Sequence, residues 1–352
     1  MKLRTLADAP ITKGTRVLVR IDSDVVVRRG SIAPEESYRL DTALATFKFL
    51  LRKKAVITVM GHMGRPDGKK VAALSLAPVQ KYLEKKLKTK LHFLPNVRFD
   101  AREEKNDVGY ARELATGQDL FVNESFASAH RAHTSVAAIT KLLPSYAGIQ
   151  FEKEFVALSS AMTAPKKPLA LIIGGAKLET KVPVIKKFLP IAAEIFVVGA
   201  VANNFFAADG QDVGESLVDL SSIAVARSLL KHKNVLLPED VVYFQHKIFD
   251  IGPDAIESMA KKLTRAKTII WNGPAGYFEK KPFDRGTELL ARLLARLGGK
   301  GACVIVGGGE TTSRIIKLKL TRNFAHISTG GGAMLEFLGG AKLPGVTPLL
   351  KK

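Results

Sequence analysis

Short runs of apolar, β-branched residues alternate along the chain with stretches whose apolar positions recur every three or four residues. In the first half, an apolar run at 16–22 is followed by a helical pattern at 41–53 and by a second apolar run at 55–60. This order predicts a β-α-β unit. A further helix is predicted at 75–88 and a further strand at 119–123. The first half therefore predicts a parallel sheet flanked by helices.

The alternation pauses near the middle of the chain and then resumes. A helical pattern at 152–162 leads into the segment Ala164-Pro165-Lys166-Lys167-Pro168, which predicts a connecting helix and a linker. Further strands are predicted at 169–173, 194–198, 235–237, 268–271 and 302–306. A second parallel α/β domain is expected, and a length of 352 residues exceeds what one hydrophobic core usually serves.

Composition narrows the class of protein. Hydrophobic residues make up 46% and charged residues 25% of the chain, as in ordinary globular proteins. No apolar run approaches the roughly 18 to 20 residues of a membrane span, and residues 1–10 lack the apolar stretch of a secretion signal. We expect a cytoplasmic protein without a membrane partner. The single cysteine, Cys303, excludes an intramolecular disulfide and a thiolate metal site, and its apolar neighbours predict a buried strand position.

A net charge of +21 suggests anionic partners. The basic residues are scattered along the chain, and there is no basic tail, zinc-finger spacing or aromatic RNA-recognition signature. Solvated surface charge is therefore favoured over nucleic-acid binding, and no specific nucleic-acid partner is expected.

Nearly every predicted strand ends in a loop of glycine or polar residues. Because open α/β sheets bind ligands beyond the carboxyl ends of their strands, these loops are candidate site walls. In the first half they are rich in arginine and histidine: Arg20, Arg39, His62, Arg65, Arg98, His130, Arg131 and His133. A guanidinium group can donate two parallel hydrogen bonds to a phosphate or carboxylate. Several such groups favour a small phosphorylated acid as ligand. His130 and His133 lack the acidic or cysteine partners of a metal site.

The loops of the second half are glycine-rich instead, at 174–175, 307–309 and 330–332. Free backbone N–H groups there predict a nucleotide phosphate cradle, although the chain has no standard P-loop. Lys177 and Lys181 are expected to share a helical face and to reach phosphates, and Glu310 is placed to hold a magnesium ion. An anion site on one lobe and a nucleotide site on the other suggest phosphoryl transfer after lobe closure.

Ten segments resemble, in family order and over essentially the whole chain, the signature segments of phosphoglycerate kinases. They include Asn96-Val97-Arg98-Phe99, Ala129-His130-Arg131-Ala132-His133 and Trp271-Asn272-Gly273-Pro274, and the others lie at 20–24, 61–66, 103–106, 174–181, 237–242, 307–311 and 327–333.

This resemblance implies a reaction and its residues. The N-terminal lobe would bind 3-phosphoglycerate or 1,3-bisphosphoglycerate through Asp22, Asp24, Arg39, His62, Met63, Gly64, Arg65, Arg98 and Arg131. The C-terminal lobe would bind ADP or ATP with Mg²⁺ through Gly174, Lys177, Lys181, Asn272, Glu279, Gly308, Gly309, Glu310 and Thr311. Arg39, Lys177 and Lys181 are the implied catalytic residues, and Glu310 is the implied metal ligand.

The resemblance also implies an architecture of two Rossmann-like lobes, each a parallel sheet flanked by helices, joined by a hinge helix. The expected divisions are a phosphoglycerate-binding domain at 1–150, a connecting helix and linker at 151–167, a nucleotide-binding domain at 168–333, and a segment at 334–352 that returns to the first domain. A monomer is expected.

Five positions depart from the family pattern. Asp24 replaces an asparagine, Glu310 an aspartate and Pro95 a glutamate, while Ala200 and Asn203 alter a segment beside the nucleotide base. A carboxylate at position 24 is expected to weaken the binding of an anion. The departures leave open an alternative function, that of a divergent anion- and nucleotide-binding protein with weakened catalysis.

Overall fold

The structure, a computed structural model, describes residues 2–351. These residues form two compact units. Unit 1 comprises the described residues up to 156 together with 342–351, and unit 2 comprises 157–341.

Unit 1 is built on a five-stranded parallel sheet. Its elements are β1 (Arg16–Ile21), β2 (Val27–Arg28), β3 (Ser31–Ile32), α1 (Ser37–Arg52), β4 (Val56–Met60), α2 (Ala77–Leu87), β5 (His92–Phe93), α3 (Val108–Ala115), β6 (Leu120–Glu124), β7 (Ser145–Ala147) and the start of α4 (Ile149–Thr163). The strand order is β5-β4-β1-β6-β7, and β2 and β3 form a separate hairpin. The chain thus leaves β1 first toward one edge and then, with β6, toward the other.

Helices cover both faces of this sheet, which explains why its strands are apolar without alternation. Val17 and Val19 of β1 pack into one buried cluster with Phe47 of α1. Leu18, between them, packs on the opposite face with Phe121. Five of the six residues of β1 are buried as a result.

The two ends of the chain meet within unit 1. Leu3 forms an antiparallel bridge with Leu350, and the Lys351 ammonium lies 2.8 Å from a carboxylate oxygen of Asp8. These contacts attach residues 342–351 to the first unit.

Unit 2 contains a six-stranded parallel sheet. Its elements are β8 (Leu169–Ile173), α5 (Val182–Phe188), β9 (Glu194–Val197), α6 (Ala200–Ala208), α7 (Ile223–Leu230), β10 (Val235–Leu236), β11 (Val241–Phe244), β12 (Lys247–Ile251), α8 (Pro253–Leu263), β13 (Thr268–Asn272), α9 (Arg285–Gly299), β14 (Cys303–Gly307), α10 (Gly309–Lys317), β15 (His326–Ile327) and α11 (Gly332–Leu338). The strand order is β10-β9-β8-β13-β14-β15, with β11 and β12 as a separate antiparallel hairpin.

In both sheets the order in which strands are added reverses beside the first strand. The reversal lies between β1 and β6 in unit 1 and between β8 and β13 in unit 2. Such a reversal leaves a crevice at the carboxyl ends of the strands, where α/β proteins bind ligands. The loops after these strands are therefore where the site is to be sought.

The β11–β12 hairpin was not predicted from the sequence. Its two-residue turn is formed by Gln245 and His246, both with positive φ angles of 47° and 57°. Turns of this shape usually carry Asn-Gly or Asp-Gly, so the sequence offers no turn signal here. Cys303 lies in β14 as predicted, but it is half-buried and not buried, because it is the first residue of the strand.

Candidate active site

In unit 1 the loops after β1 and β4 lie against each other. The Ser23 hydroxyl donates to the carbonyl oxygen of His62 at 2.8 Å. A Cβ atom on Gly61 would lie only 2.2 Å from the Ser23 oxygen, so only glycine allows this approach. The contact brings Asp22 and Asp24 beside the segment that begins at His62.

Arg20 fixes the protonation of His62. This arginine is fully buried, and its guanidinium donates to the Ser125 hydroxyl at 3.0 Å and to Nδ1 of His62 at 2.9 Å. Because an arginine can only donate, His62 accepts at Nδ1 and carries its proton on Nε2. Burial, and then the charges of Arg20 and Arg98, hold the pKa of His62 well below its usual value. The imidazole is therefore neutral, with one N–H donor pointing away from Arg20.

The two aspartates differ in exposure. Asp22 is buried, burial raises its pKa, and its nearest cation is Arg39, with Nη1 at 3.6 Å from Oδ2. Asp24 is half-exposed, with Oδ2 3.7 Å from Nε2 of His62, and its Oδ1 accepts from the Gly64 amide at 2.9 Å. Asp24 thus anchors the 62–65 loop while it places negative charge beside the arginines.

Arg98 and Arg131 complete the basic cluster. Arg98 is buried; it donates to the Gly64 carbonyl at 2.8 Å and pairs with Glu104 at 3.2 Å. Burial, and then the charge of Arg131, lower the pKa of Arg98. Within residues 2–351, the Arg131 side chain makes no described ion pair, so its charge is available to a ligand. Two guanidinium groups close enough to repel each other favour an incoming anion.

The predicted residues of unit 1 separate into three environments. Asp22, Asp24, Arg39, His62, Gly64 and Arg98 are joined by the contacts above, whereas Arg65 is exposed. The Met63 side chain packs into the hydrophobic core, and its backbone carbonyl accepts from the side-chain amide of Asn96 at 2.8 Å. Only backbone atoms of Met63 therefore face the polar loops.

One buried acid of this region was not predicted as a site residue. Glu103 is fully buried, and it accepts from the Ser135 amide at 3.0 Å and from the Ser135 hydroxyl at 2.6 Å. Burial raises its pKa. Glu103 fastens the loop that carries Arg131 and His133. Burial, followed by the charges of Arg98 and Arg131, lowers the pKa of His133 to about 4. His130 and His133 lie in a loop and not on a helix.

In unit 2, the loops after β8 and β13 touch through their glycines. A Cβ atom on Gly174 would lie 2.3 Å from the Pro274 carbonyl oxygen, and one on Gly273 would lie 2.3 Å from the Gly174 carbonyl oxygen. The Gly175 amide donates to Pro274 at 2.9 Å. These glycines keep the two loops in contact at the reversal of the sheet.

The amino end of α10 lies after the neighbouring strand β14. Gly308 precedes the helix, and Glu310 lies in its first turn. The Thr311 hydroxyl is buried and has no hydrogen-bond partner among residues 2–351. Unpaired amides and a hydroxyl at the positive end of a helix are suited to phosphate oxygens. The third glycine run, 330–332, leads into α11 and does not line the cavity described below.

Lys181 and Lys177 do not share a helical face, so that prediction was wrong. Helix α5 begins only at Val182, and residues 177–181 form a turn closed by the hydrogen bond from the Lys181 amide to the Leu178 carbonyl at 2.8 Å. Lys177 is exposed. Lys181 is buried, and its ammonium donates to Oδ1 of Asn272 at 2.5 Å. Burial lowers the pKa of Lys181 to about 8, against the opposing charge of Glu310.

Beside these groups lies a cavity of about 350 Å³ within unit 2. Gly175, Pro274 and Glu310 line it on the side of the glycine loops and α10, and Leu217, Pro238 and Val241 supply apolar wall. A cavity of this size, apolar with a few polar groups, suits a nucleoside. The cavity walls that β11, β12 and the 209–222 loop supply were not predicted from the sequence.

The carboxylates at this cavity are compatible with a magnesium ion carried by nucleotide phosphates. Burial, and then the charge of Glu279, raise the pKa of Glu310, so two carboxylates are close enough to repel each other. No group of three or more histidine, cysteine or acidic side chains suited to a metal occurs within residues 2–351. Magnesium typically uses one or two carboxylates together with substrate phosphates, and Glu310 fits that pattern. Over the same residues, every helix is too short or too polar to cross a membrane.

Two parallel-sheet units, one with a basic cluster suited to an anion and one with a nucleotide-sized cavity beside a helix amino end, define a nucleotide-dependent phosphotransferase. The family model for phosphoglycerate kinase matches residues 6–95 and 88–341. The chain belongs to the phosphoglycerate kinase family.

Individual relatives agree over the whole length. Phosphoglycerate kinase from Coprothermobacter proteolyticus is 36% identical over 396 residues and that from Moorella thermoacetica is 37% identical over 395, with 99% of each chain covered in both cases. The solved structure of phosphoglycerate kinase from Coxiella burnetii has a TM-score of 0.86 and 32% identity, covering 99% of both chains. That from Pyrococcus horikoshii has a TM-score of 0.87 and 26% identity, covering 99% of this chain and 98% of its own.

These matches confirm the predicted fold class of two parallel-sheet α/β lobes. They also confirm the predicted class of enzyme, a glycolytic kinase that transfers a phosphoryl group to a carboxyl group. Phosphoglycerate and a nucleotide as substrates follow from family membership.

Proposed function

We propose that this chain catalyses reversible phosphoryl transfer between 1,3-bisphosphoglycerate and ADP, giving 3-phosphoglycerate and ATP. Beside family membership, the observation that carries the proposal is the nucleotide-sized cavity of unit 2 at the positive end of α10, with buried Lys181 beside it. A buried ammonium that lies near hydrogen-bond donors for phosphate oxygens is suited to neutralising phosphate charge.

The phosphoglycerate would be held by the basic cluster of unit 1. Arg98 and Arg131 supply positive charge to its phosphate or carboxylate, and neutral His62 supplies an N–H donor from Nε2. Arg65 is exposed and free to turn toward a ligand, while Gly64 offers backbone. Asp22 and Asp24 would accept hydroxyl hydrogens of the substrate and orient the 62–65 loop.

The nucleotide would occupy the cavity of unit 2. Its phosphates would meet the backbone around Gly174, the amides at Gly308 and Gly309, and the Thr311 hydroxyl. Lys181, held by Asn272, would pair with the phosphates, and Glu279 would contact the nucleoside from the cavity rim. Glu310 would hold Mg²⁺ bound to the phosphates, and this ion supplies charge neutralisation on the phosphoryl oxygens.

In the direction of ATP consumption, a carboxylate oxygen of 3-phosphoglycerate attacks the γ-phosphorus of ATP. A bond forms between that oxygen and phosphorus, and the bond from phosphorus to the β–γ bridging oxygen breaks, so that ADP leaves with the electron pair and no proton is needed. Arg39 and Lys177 would contact the equatorial oxygens of the transferring phosphoryl group. Positioning and charge neutralisation carry most of the catalysis in such a reaction.

Further parts of the proposal concern organisation. A phosphoglycerate-binding domain at 1–150, a connecting helix and linker at 151–167, a nucleotide-binding domain at 168–333 and a returning segment at 334–352 remain our proposed divisions. The change from unit 1 to unit 2 inside α4, after Val156, supports α4 as the hinge for closure. Residues 342–351, which belong to unit 1, support the returning segment. We also propose a cytoplasmic monomer without a specific nucleic-acid partner.

The test is ATP consumption by the purified protein with magnesium and 3-phosphoglycerate, coupled to reduction of the 1,3-bisphosphoglycerate formed. We expect turnover that requires both substrates and stops when a chelator removes magnesium. Turnover that is absent, although both ligands bind, would favour the alternative of a divergent binding protein, which family membership by itself does not support.

A further inference from the structure

Four aromatic side chains beside the nucleotide cavity form an arrangement that the reaction does not explain. Tyr277, Phe249 and Phe283 are stacked in a row: the ring centroids of Tyr277 and Phe249 are 5.8 Å apart, and those of Phe249 and Phe283 are 4.7 Å apart. The interplanar angles of 30° and 22° make both contacts stacked. Phe244 packs against the edge of Phe249 at 6.1 Å.

The members of this stack differ in their access to the cavity. Phe283 is buried at the inner end of the row, and it does not line the cavity. Phe249 and Tyr277 both line the cavity, and 46% of Tyr277 is exposed. Tyr277, at the outer end of the row, is thus both a lining residue of the cavity and only partly covered by its neighbours.

The stack is also what holds the segment 274–284, which has no helix or strand. The Tyr277 amide donates to the Phe249 carbonyl at 2.7 Å, and the ammonium of Lys280 lies 5.6 Å from the centre of the Phe244 ring. Behind it, buried Asp250 accepts from the Gly286 amide at 2.7 Å. These contacts attach the segment to its neighbours, and a segment that is already held in place lowers the ordering cost of binding.

We propose that Tyr277 is a nucleoside-binding residue, with its open ring face stacking on the nucleoside of ADP or ATP, and that Phe249 is the positioning residue that presents this ring. The inference rests on the proposed function, because it assumes that the cavity takes a nucleotide. The phosphate-binding groups, Lys181 and the amino end of α10, are separate elements of the site, which leaves the ring face for the nucleoside. Every base has a π face, so a stacking wall binds the nucleoside with little regard to which base it carries.

The experiment measures dissociation constants by calorimetry for ADP, GDP and inorganic pyrophosphate, with wild type and variants. Tyr277→Ala is expected to weaken ADP and GDP by at least about fivefold, since an aromatic–base stack contributes that much or more, and to leave pyrophosphate unchanged. Tyr277→Phe is expected to retain wild-type affinity, because the ring and not the hydroxyl makes the contact. Phe249→Leu is expected to fall between them.

The matched control is Phe244→Ala. Phe244 belongs to the same aromatic cluster and is 42% exposed, but it does not line the cavity. Equal loss of ADP affinity in Phe244→Ala and Tyr277→Ala would overturn the proposal, since the loss would then follow from weakened packing. So would unchanged ADP affinity in Tyr277→Ala. A wild-type protein that binds no ADP would instead contradict the proposed function, so the two failures are distinguishable.

Discussion

Lys181 should take up a proton when nucleotide binds. Its ammonium is buried against Asn272, and burial lowers its pKa to about 8. Phosphate oxygens brought beside this group favour its charged form and raise its pKa toward the value of a free lysine. Above neutral pH, Lys181 is therefore partly deprotonated in the free protein, whereas it stays protonated in the nucleotide complex.

The magnitude follows from the pKa of about 8. The uptake equals the deprotonated fraction in the free protein, about 0.1 proton at pH 7, about 0.5 at pH 8 and about 0.9 at pH 9. The proton comes from the solution, and binding is coupled to its uptake. The apparent dissociation constant for ADP is therefore expected to rise by about tenfold between pH 7 and pH 9, as free protons become scarcer.

Titration calorimetry of ADP in buffers of different ionisation enthalpy measures the uptake directly. The slope of the observed enthalpy against the buffer ionisation enthalpy is the number of protons bound. The titrations are made without magnesium, so that protons linked to the metal do not contribute.

Two matched variants identify the group. Lys181→Arg carries a guanidinium that stays charged throughout this range, so its uptake should vanish at pH 8 and 9. Lys177→Arg changes an exposed lysine of the same loop and should retain the wild-type uptake. Absence of uptake in the wild type at pH 9, or its persistence in Lys181→Arg, would refute the reasoning.

Three further predictions concern other parts of the chain. Asp24→Asn keeps an acceptor for the Gly64 amide but removes a half-exposed negative charge beside the basic cluster of unit 1. We expect 3-phosphoglycerate to bind about fivefold more tightly, roughly 1 kcal/mol; equal or weaker binding in calorimetry would show that the neighbouring cations already compensate the acid. Lys177→Ala should lower kcat by about 100-fold or more while the dissociation constant for ADP changes by less than about threefold, and steady-state kinetics showing an unchanged kcat would remove Lys177 from the chemistry. Burial raises the pKa of Glu124 to about 7, so the folded state binds more protons than the unfolded state between about pH 4.5 and 7, and stability is lost as pH rises through this window. Urea unfolding should show Glu124→Gln gaining up to about 3 kcal/mol on the wild type from pH 4.5 to 7, and a constant difference would mean that this carboxyl is ionised throughout.

The sequence by itself determined the central strands, three of the helices and the chemical character of the loops, whereas the short strands β2, β3, β5, β7 and β15 and the β11–β12 hairpin were not predicted. The strand at 169–173 coincides with β8, and the other predicted strands lie within one or two residues of those observed. Buried parallel strands are apolar on both faces, and this leaves a signal that needs no knowledge of tertiary contacts. The residues that follow them, such as His62 and Gly174, were assigned to the site because the carboxyl ends of parallel strands share one edge.

Only the tertiary structure decided what those loop residues can do. Lys177 and Lys181 have the same side chain and lie four positions apart, yet one is exposed and the other is buried with a lowered pKa. His62 is neutral because Arg20 occupies its Nδ1, a contact between residues 42 positions apart. In the sequence, nothing distinguishes Phe249 and Tyr277 from ordinary aromatic positions. They become part of a site only because the turn at Gln245–His246 pairs β12 with β11 and places β12 at the cavity. Burial and charge pairing depend on neighbours that are distant in sequence. The local sequence pattern therefore cannot predict which residues will be buried or paired.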